Sequence, residues 1–159
     1  MRSIAVFIAG VFVGSVIQGL GAQPRPEAVM LNHVAIGVPN LDEGIKAFTS
    51  ALGAKEAFTF RDNRGWPFSY LQLSRNTFLE LQPAGEGRPV GFLHIGLEVQ
   101  DLRQALPRLR AAGLTVTDPA ESPRTKALIS QAKDPNGLRF EVLEFGPDTL
   151  QRKAMDSWK

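Results

Sequence analysis

The segment Leu31-Asn-His33-Val-Ala-Ile-Gly-Val38 decides how this chain folds, because a second copy of it follows farther along. Phe92-Leu-His94-Ile-Gly-Leu-Glu-Val99 repeats the pattern at a constant offset, which pairs His33 with His94 and Val38 with Val99. In both segments branched apolar residues alternate with small or polar ones, as in a strand that buries one face. The repeat therefore predicts two copies of one structural unit.

The residues after each copy also follow one layout. Each strand precedes an amphipathic helix, at about 41–52 and 102–112, and a glycine stands where each helix should end. The period then falls to two, which predicts strands at about 54–60, 67–74 and 77–83, and again at about 114–117, 126–133 and 138–145. The sequence therefore predicts an α+β fold of two βαβββ modules, at about 30–83 and 91–146.

Residues 1–22 have the features of an export signal. Met1-Arg2-Ser3 carries a positive charge, and an apolar run from Ile4 to Ile17 follows it. We predict a signal peptide, or alternatively an N-terminal membrane anchor, because about 20 apolar residues span a bilayer. Residues 23–29, with two prolines, are predicted to be a linker. The protein is accordingly expected to be secreted or periplasmic, with membrane contact confined to the N-terminal segment.

The C-terminal tail, residues 147–159, is predicted to form a short helix after the folded domain at 30–146. Leu150, Ala154 and Trp158 recur at helical spacing and would share one face. This face is expected to dock onto the domain, or alternatively to form a dimer contact.

The composition narrows the chemistry that the chain can support. Its 159 residues include no cysteine, which excludes disulfides, thiolate metal sites and a cysteine nucleophile. Eighteen basic residues against 16 acidic ones give a net charge of +2, and their scatter disfavours nucleic-acid binding. A small-molecule substrate is the expected partner, and two complete modules in one chain allow a monomer or a homodimer.

Glutamates repeat at the same offset as the histidines. Glu80 is as far from Glu141 as His33 is from His94, so each glutamate follows the histidine of its module at the same distance along the chain. Because alternate side chains of a strand face opposite sides of a sheet, their apolar neighbours mark the face that packs on the helices. The other face of four strands then carries these four side chains. We predict that they share one concave surface.

Two imidazoles and two carboxylates on one surface are suited to a divalent first-row metal. Ala35, Gly37 and Gly96 are small residues on the same face, and they would leave room beside an ion. One divalent metal ion, Zn, Ni, Co, Mn or Fe, is therefore the expected cofactor.

The chain resembles the vicinal oxygen chelate superfamily, which includes glyoxalase I, methylmalonyl-CoA epimerase, extradiol dioxygenases and bleomycin- or fosfomycin-resistance proteins. The resemblance spans about residues 30–146 and is carried by LNHVAIGVPNLDEGIKAFTSALGA (31–54), FLELQP (78–83), GFLHIGLEVQDL (91–102) and DPNGLRFEVLEF (134–145). It implies that the two modules form one cupped mixed sheet. It also implies that the four metal-ligand positions of the family fall on His33, Glu80, His94 and Glu141.

The resemblance further implies chemistry on a metal-chelated substrate. In the glyoxalase I and epimerase branches a metal-associated glutamate moves a proton, which assigns the catalytic base to Glu141 or Glu80. A glyoxalase I-like lyase or isomerase of unknown substrate is thus the expected function. The alternatives are an extradiol-type dioxygenase, which needs only His33, His94 and Glu141, and a non-catalytic small-molecule-binding protein of the resistance type.

Residues around the predicted third strand are candidates for binding the substrate. Tyr70 and Gln72 share one face of that strand, and Trp66 lies on its approach. They are expected either to line the cavity and hold an anionic or aromatic substrate, or to pack within the hairpin. Arg139 has the same parity as Glu141 and is the fourth candidate.

Overall fold

Two modules of the same layout make up most of the part of the chain that the computed structural model describes, residues 29–85 and 87–159. The first module contains β1 (Met30–Val38), α1 (Leu41–Leu52), β2 (Lys55–Arg61), β3 (Pro67–Ser74) and β4 (Thr77–Pro83). The second contains β5 (Gly91–Glu98), α2 (Leu102–Ala111), β6 (Thr115–Val116), β7 (Ala120–Glu121), β8 (Leu128–Lys133) and β9 (Arg139–Glu144). A last helix, α3 (Leu150–Ser157), follows the second module.

The predictions for the N-terminal segment lie almost entirely outside the described residues. The predicted signal peptide or anchor, 1–22, is not described, and only the last residue of the predicted linker, 23–29, is. Within the described residues, none of the helices combines the length and the apolar character that a membrane span requires.

The nine strands of the described residues belong to one mixed sheet. Its order is β2-β3-β4-β1-β5-β9-β8-β6, and β7 pairs with β8 beside this path. In each module the first strand runs parallel to the last, β1 with β4 and β5 with β9. The two modules meet where β1 pairs antiparallel with β5. The predicted α+β fold of two modules is confirmed, and its centre is the pair of repeated histidine strands.

The two long helices cover one face of the sheet, one helix to each module. Residues of α1 pack against a cluster around Leu71, Leu79 and Leu81, and α2 packs against a cluster around Phe140 and Val142. The ends of α1 follow its sequence: Asn40 caps the first turn, and Gly53 ends the helix at a φ of 68°, which glycine adopts without strain. The opposite face, here called the inner face, therefore carries the predicted site.

The edge of the second module differs from the predicted strands. Instead of one strand at about 114–117, two strands of two residues each, β6 and β7, stand on either side of Pro119. Proline has no N–H to donate to a strand ladder, so it interrupts pairing there. β8 begins at Leu128 rather than near 126, because Lys126 has a φ of 64°, which extended backbone does not include.

The C-terminal helix docks onto the domain, as expected. Of the three residues predicted to share its docking face, Ala154 is buried, whereas Leu150 and Trp158 are only half-buried. The buried residues are Gln151, Ala154 and Met155, which have the i, i+3, i+4 spacing of one helix face.

The helix α3 fills one end of the inner face. Its Ala154 and Met155 pack in one apolar cluster with Tyr70, Phe78, Ala127, Leu143 and Phe145. Phe78 of this cluster lies on β4 two residues before Glu80, and Leu143 lies on β9 two residues after Glu141. The cluster, here called the floor, therefore lies directly beneath the predicted site.

Candidate metal centre and its cavity

The four predicted metal ligands lie on the four central strands, β4, β1, β5 and β9. Strand pairing arranges them in two rows across the sheet, one with Glu80, Ala35 and His94, the other with His33, Gly96 and Glu141. In each row a residue with little or no side chain separates the imidazole from the carboxylate. The space above that small residue is free for the two larger groups to approach.

The tips of the four side chains meet around one point. His33 Nε2 lies 3.3 Å from His94 Nε2, 3.4 Å from Glu80 Oε2 and 3.8 Å from Glu141 Oε2. His94 Nε2 lies 3.6 Å from Glu80 Oε2 and 3.8 Å from Glu141 Oε2. The structure therefore brings together all four residues that the repeat singles out.

This spacing fits a metal ion. Nitrogen and oxygen ligands about 2.0–2.2 Å from a tetrahedral ion lie about 3.3–3.6 Å from one another. The five distances, between 3.3 and 3.8 Å, are close to that range. His33, His94 and Glu141 form a triad whose ligand atoms lie within 4.8 Å of one another, and Glu80 is the fourth donor. The donor set is typical of zinc and of other divalent first-row metals.

His33 is the most constrained of the four ligands. Its side chain is fully buried, and its Nδ1 lies 3.2 Å from the Oδ1 of Asn32. An Nδ1–H that donates to this oxygen leaves Nε2 unprotonated and free to bind a metal. Gly96 provides the space for the ring, because a Cβ at that position would overlap the imidazole. Burial lowers the pKa of His33 to about 4, so the ring is neutral at pH 7.

Glu80 is held by donors on both of its oxygens. The Tyr70 hydroxyl donates to Oε2 over 3.0 Å, and Gln82 Nε2 donates to Oε1 over 3.0 Å. Burial acts to raise the pKa of Glu80, but the hydrogen bond to His94 and the charges of both histidines outweigh it, so the pKa is lowered. Glu80 is therefore a fixed, ionised carboxylate.

His94 and Glu141 are more open to solvent, with side chains 19% and 16% exposed. Burial raises the pKa of Glu141, and the nearby charge of Glu80 adds to the effect. Burial acts to lower the pKa of His94, but the hydrogen bond to Glu80 and the charges of both glutamates raise it overall. Gln131 Nε2 donates to Glu141 Oε1 over 2.7 Å. Glu141 is thus a basic and partly accessible carboxylate.

A cavity of about 570 Å³ opens beside this half of the site. His94 and Glu141 both line it. Its wall also includes Arg64, Gln82, Arg88, Phe92, Gln131 and Arg139. This volume lies in the range typical of small-molecule sites.

The four predicted substrate-binding residues have different positions. Arg139 lines the cavity, and Trp66 lies beneath the guanidinium of Arg88, 4.4 Å from its carbon to the ring centroid. Tyr70 is buried and hydrogen-bonds the ligand carboxylate described above. Gln72 does not line the cavity, since its Nε2 donates to backbone carbonyls in the β3–β4 turn and in α3.

Three residues that support the ligands were not predicted from the sequence: Asn32, Gln82 and Gln131. Gln131 is related to Tyr70 by the same offset as the two histidines, and each of the two stands ten residues before the glutamate that it contacts. The repeat offset therefore carried the signal for Gln131. It carried none for Asn32 or Gln82, because leucines, Leu93 and Leu143, occupy the equivalent positions.

Comparison with known proteins identifies the family. Residues 30–142 match the Glyoxalase/Bleomycin resistance protein/Dioxygenase superfamily. The chain belongs to this superfamily, as its resemblance to the vicinal oxygen chelate proteins predicts. Superfamily members bind a divalent metal, which agrees with the donor set described above.

Individual relatives include both epimerases and lyases. The ethylmalonyl-CoA/methylmalonyl-CoA epimerase of Cereibacter sphaeroides is 34% identical over 128 residues, covering 70% of this chain and 95% of the relative. A probable chloroplastic lactoylglutathione lyase of Arabidopsis thaliana is 29% identical over 129 residues, covering 72% of this chain and 35% of that protein. The crystal structure of methylmalonyl-CoA epimerase from Mycobacterium tuberculosis matches with a TM-score of 0.67 at 20% identity, covering 79% of this chain and 94% of that one. This match confirms the fold.

Proposed function

We propose that the protein is a metal-dependent isomerase or lyase of the glyoxalase type, in which Glu141 moves a proton of the substrate. One observation carries the proposal: Glu141 combines contact with both imidazoles and access to the cavity. A carboxylate in this position can reach a proton of a substrate that is bound at the metal.

The residues of the site have separate roles in metal binding and in proton transfer. His33, Glu80, His94 and Glu141 would hold one divalent ion, and Gln131 orients Glu141 through its Oε1. When bound, the ion would chelate two neighbouring oxygens of a substrate and stabilise the negative charge that develops when a C–H proton leaves. Glu141 takes that proton and returns it, while His33 and Glu80 stay fixed beneath it.

A single accessible base favours proton transfer between adjacent carbons over inversion at one carbon. Inversion with two bases needs a second acid–base group on the far side of the carbon. Among the described residues that line the cavity, Glu141 is the one carboxylate, and the rest of the wall includes arginines and glutamines. Glu80 accepts hydrogen bonds on both oxygens and has a lowered pKa, which makes it a weak base. The glyoxalase-type reaction is therefore preferred to epimerisation.

The test measures exchange of the substrate proton with solvent as well as formation of the product. Zinc- or nickel-loaded protein is incubated in D₂O with hemithioacetals of methylglyoxal and small thiols, and NMR records isomerisation and deuterium uptake at the α-carbon. Glu141→Gln is expected to lower the turnover about 10²–10⁴-fold at equal metal occupancy. The matched control is Glu121→Gln, an exposed glutamate of β7, which should keep full turnover. Full turnover of Glu141→Gln would contradict the assignment, and absence of turnover and exchange in the loaded parent protein would favour a non-catalytic binder.

A second candidate, the extradiol-type dioxygenase, is favoured by one detail. Tyr70 donates to the same Glu80 oxygen that faces the imidazoles, so His33, His94 and Glu141 have the less encumbered donor atoms. Two histidines and one carboxylate are the ligand set of many Fe(II) oxygenases. Oxygen consumption with a catechol by anaerobically iron-loaded protein would support this candidate, and its absence would leave the isomerase.

We also propose that the protein is exported, on the basis of the charged and apolar residues at 2–17. Glutathione and CoA are mainly cytosolic, so an exported enzyme of this type would act on another compound with two neighbouring oxygens. N-terminal sequencing of protein from the extracytoplasmic fraction should start near residue 23, and purely cytosolic full-length protein would contradict export.

A further inference from the structure

We propose that the cavity contains an anion-binding subsite formed by Arg64, Arg88 and Arg139. The substrate class is then a compound with two neighbouring oxygens for the metal and a separate carboxylate or phosphate for the arginines. This inference rests on the proposed function, because it assumes that the substrate binds the metal centre through its oxygens.

The three arginines line the same cavity. Within residues 29–85 and 87–159, the salt bridges of the protein involve none of Arg64, Arg88 and Arg139. The nearby acid, Asp62, uses its Oδ1 to accept the backbone N–H groups of Arg64 and Trp66, and its carboxylate also feels the charges of Arg88 and Arg64. Among the described lining residues, three arginines stand against one carboxylate, Glu141, so the wall of the cavity is positive and favours a ligand of opposite charge.

Arg88 is held in position for this role. Its guanidinium carbon lies 4.4 Å from the ring centroid of Trp66 and 5.7 Å from that of Phe68. Its backbone exchanges two hydrogen bonds with Gly85, over 2.7 and 2.9 Å, which close a tight turn. A stacked guanidinium presents its N–H groups as a planar fork, suited to two oxygens of one carboxylate or phosphate.

Arg139 approaches from the other module. It lies on β9 two residues before Glu141 and on the same face of that strand. The cavity therefore extends from the metal centre toward guanidiniums of both modules. Phe92, with half of its surface exposed, adds an apolar ring to the wall. A volume of about 570 Å³ accommodates a substrate with both a chelating end and an anionic end.

The experiment uses unreactive ligands on the zinc-loaded full-length protein. Benzohydroxamate offers two neighbouring oxygens, and its 4-carboxy and 4-phosphono derivatives add the second anion. Isothermal titration should find that at least one of the derivatives binds ten times or more tightly than benzohydroxamate. The derivative with the larger preference identifies the anion as carboxylate or phosphate.

Substitutions then test whether the arginines cause the tighter binding of the anionic derivatives. In Arg88→Gln and in Arg139→Gln the ratio of the two dissociation constants should fall below about threefold, as expected when a charged hydrogen-bonded partner is lost. The control is Arg103→Gln, an exposed residue of α2, which should keep the tenfold ratio. Thermal unfolding with zinc checks that each variant is folded, and the two arginine variants test the subsite independently.

The outcomes separate this inference from the function on which it rests. Equal binding of all three hydroxamates overturns the anion subsite and leaves the chelating metal centre intact. A preference for the anions that survives both arginine substitutions also overturns it. If zinc binds but benzohydroxamate and its derivatives do not, the proposed chelation itself fails.

Discussion

The two modules each supply one imidazole and one carboxylate to the same point, but in different surroundings. In the first module the side chains of His33 and Glu80 are 0% and 5% exposed, and they lie over the floor. In the second module those of His94 and Glu141 are 19% and 16% exposed and line the cavity. The backbone layout is the same in the two halves, whereas access to solvent is not.

This difference shows how a duplicated unit can divide one task. The first half has a buried donor or acceptor on each functional group, Asn32 on the imidazole and Tyr70 on the carboxylate. In the second half the corresponding contact comes from Gln131, which is exposed. The buried ligands of the first module fix the geometry of the metal centre, and the exposed ligands of the second module are accessible to a substrate.

The largest effect is expected at Gly96, where a side chain would enter the space that the His33 ring occupies. Ala35 and Gly96 are equivalent residues, but only at Gly96 would a Cβ overlap the His33 ring. Gly96→Ala should displace this imidazole and weaken zinc binding by about 100-fold or more, beyond the usual effect of losing a supporting contact. Competition with a chromophoric chelator measures the affinity. Gly146→Ala is the control, because a Cβ there meets nothing within 4 Å. Undiminished zinc binding by Gly96→Ala would refute the placement of His33.

A smaller effect should separate the two supporting contacts. Tyr70→Phe removes a buried donor from Glu80 and should weaken zinc binding about 10–100-fold. Gln131→Met removes the equivalent donor from Glu141, where water can replace it, so a change of only about threefold is expected. The same chelator competition measures both variants. Equal losses, or a larger loss in Gln131→Met, would mean that the halves do not differ in the way described.

The smallest effect concerns pH. In the metal-free protein, NMR of the imidazole protons should find His33 titrating at about 4 and His94 above its ordinary value of 6.5. A metal must displace the His94 proton, so affinity for zinc should fall as the pH is lowered through the pKa of His94, by at most about tenfold per unit. His33 is already neutral there and adds nothing to this slope. Two histidines titrating together near 6.5 would contradict the asymmetry.

The repeat and strand alternation were sufficient to predict the four ligands. One constant offset pairs the two histidines and the two glutamates, and the apolar neighbours of each one fix the face on which it lies. Both signals are local to a strand, so tertiary packing does not alter them. The modules and both long helices followed from the same periodicities.

Contacts between distant segments were not predictable in this way. The segment that carries Arg88 passes close to β1, because the carbonyl of Pro89 occupies the space that a side chain on Gly37 would need. The buried face of α3 includes Gln151 because its side chain hydrogen-bonds the Tyr70 hydroxyl beneath the site. Neither pairing leaves a periodic trace in the sequence, since each depends on where the backbone of another segment passes.

The floor stays uncovered until α3, the last element of the chain, has been synthesised. Met155 and Ala154 cover Phe78 and Leu143, but α3 emerges from the ribosome only after both modules. A polypeptide stopped after β9 would contain every metal ligand and still leave this apolar surface bare. Such a truncated product should be bound by chaperones and degraded by proteases, even though it contains all four metal ligands.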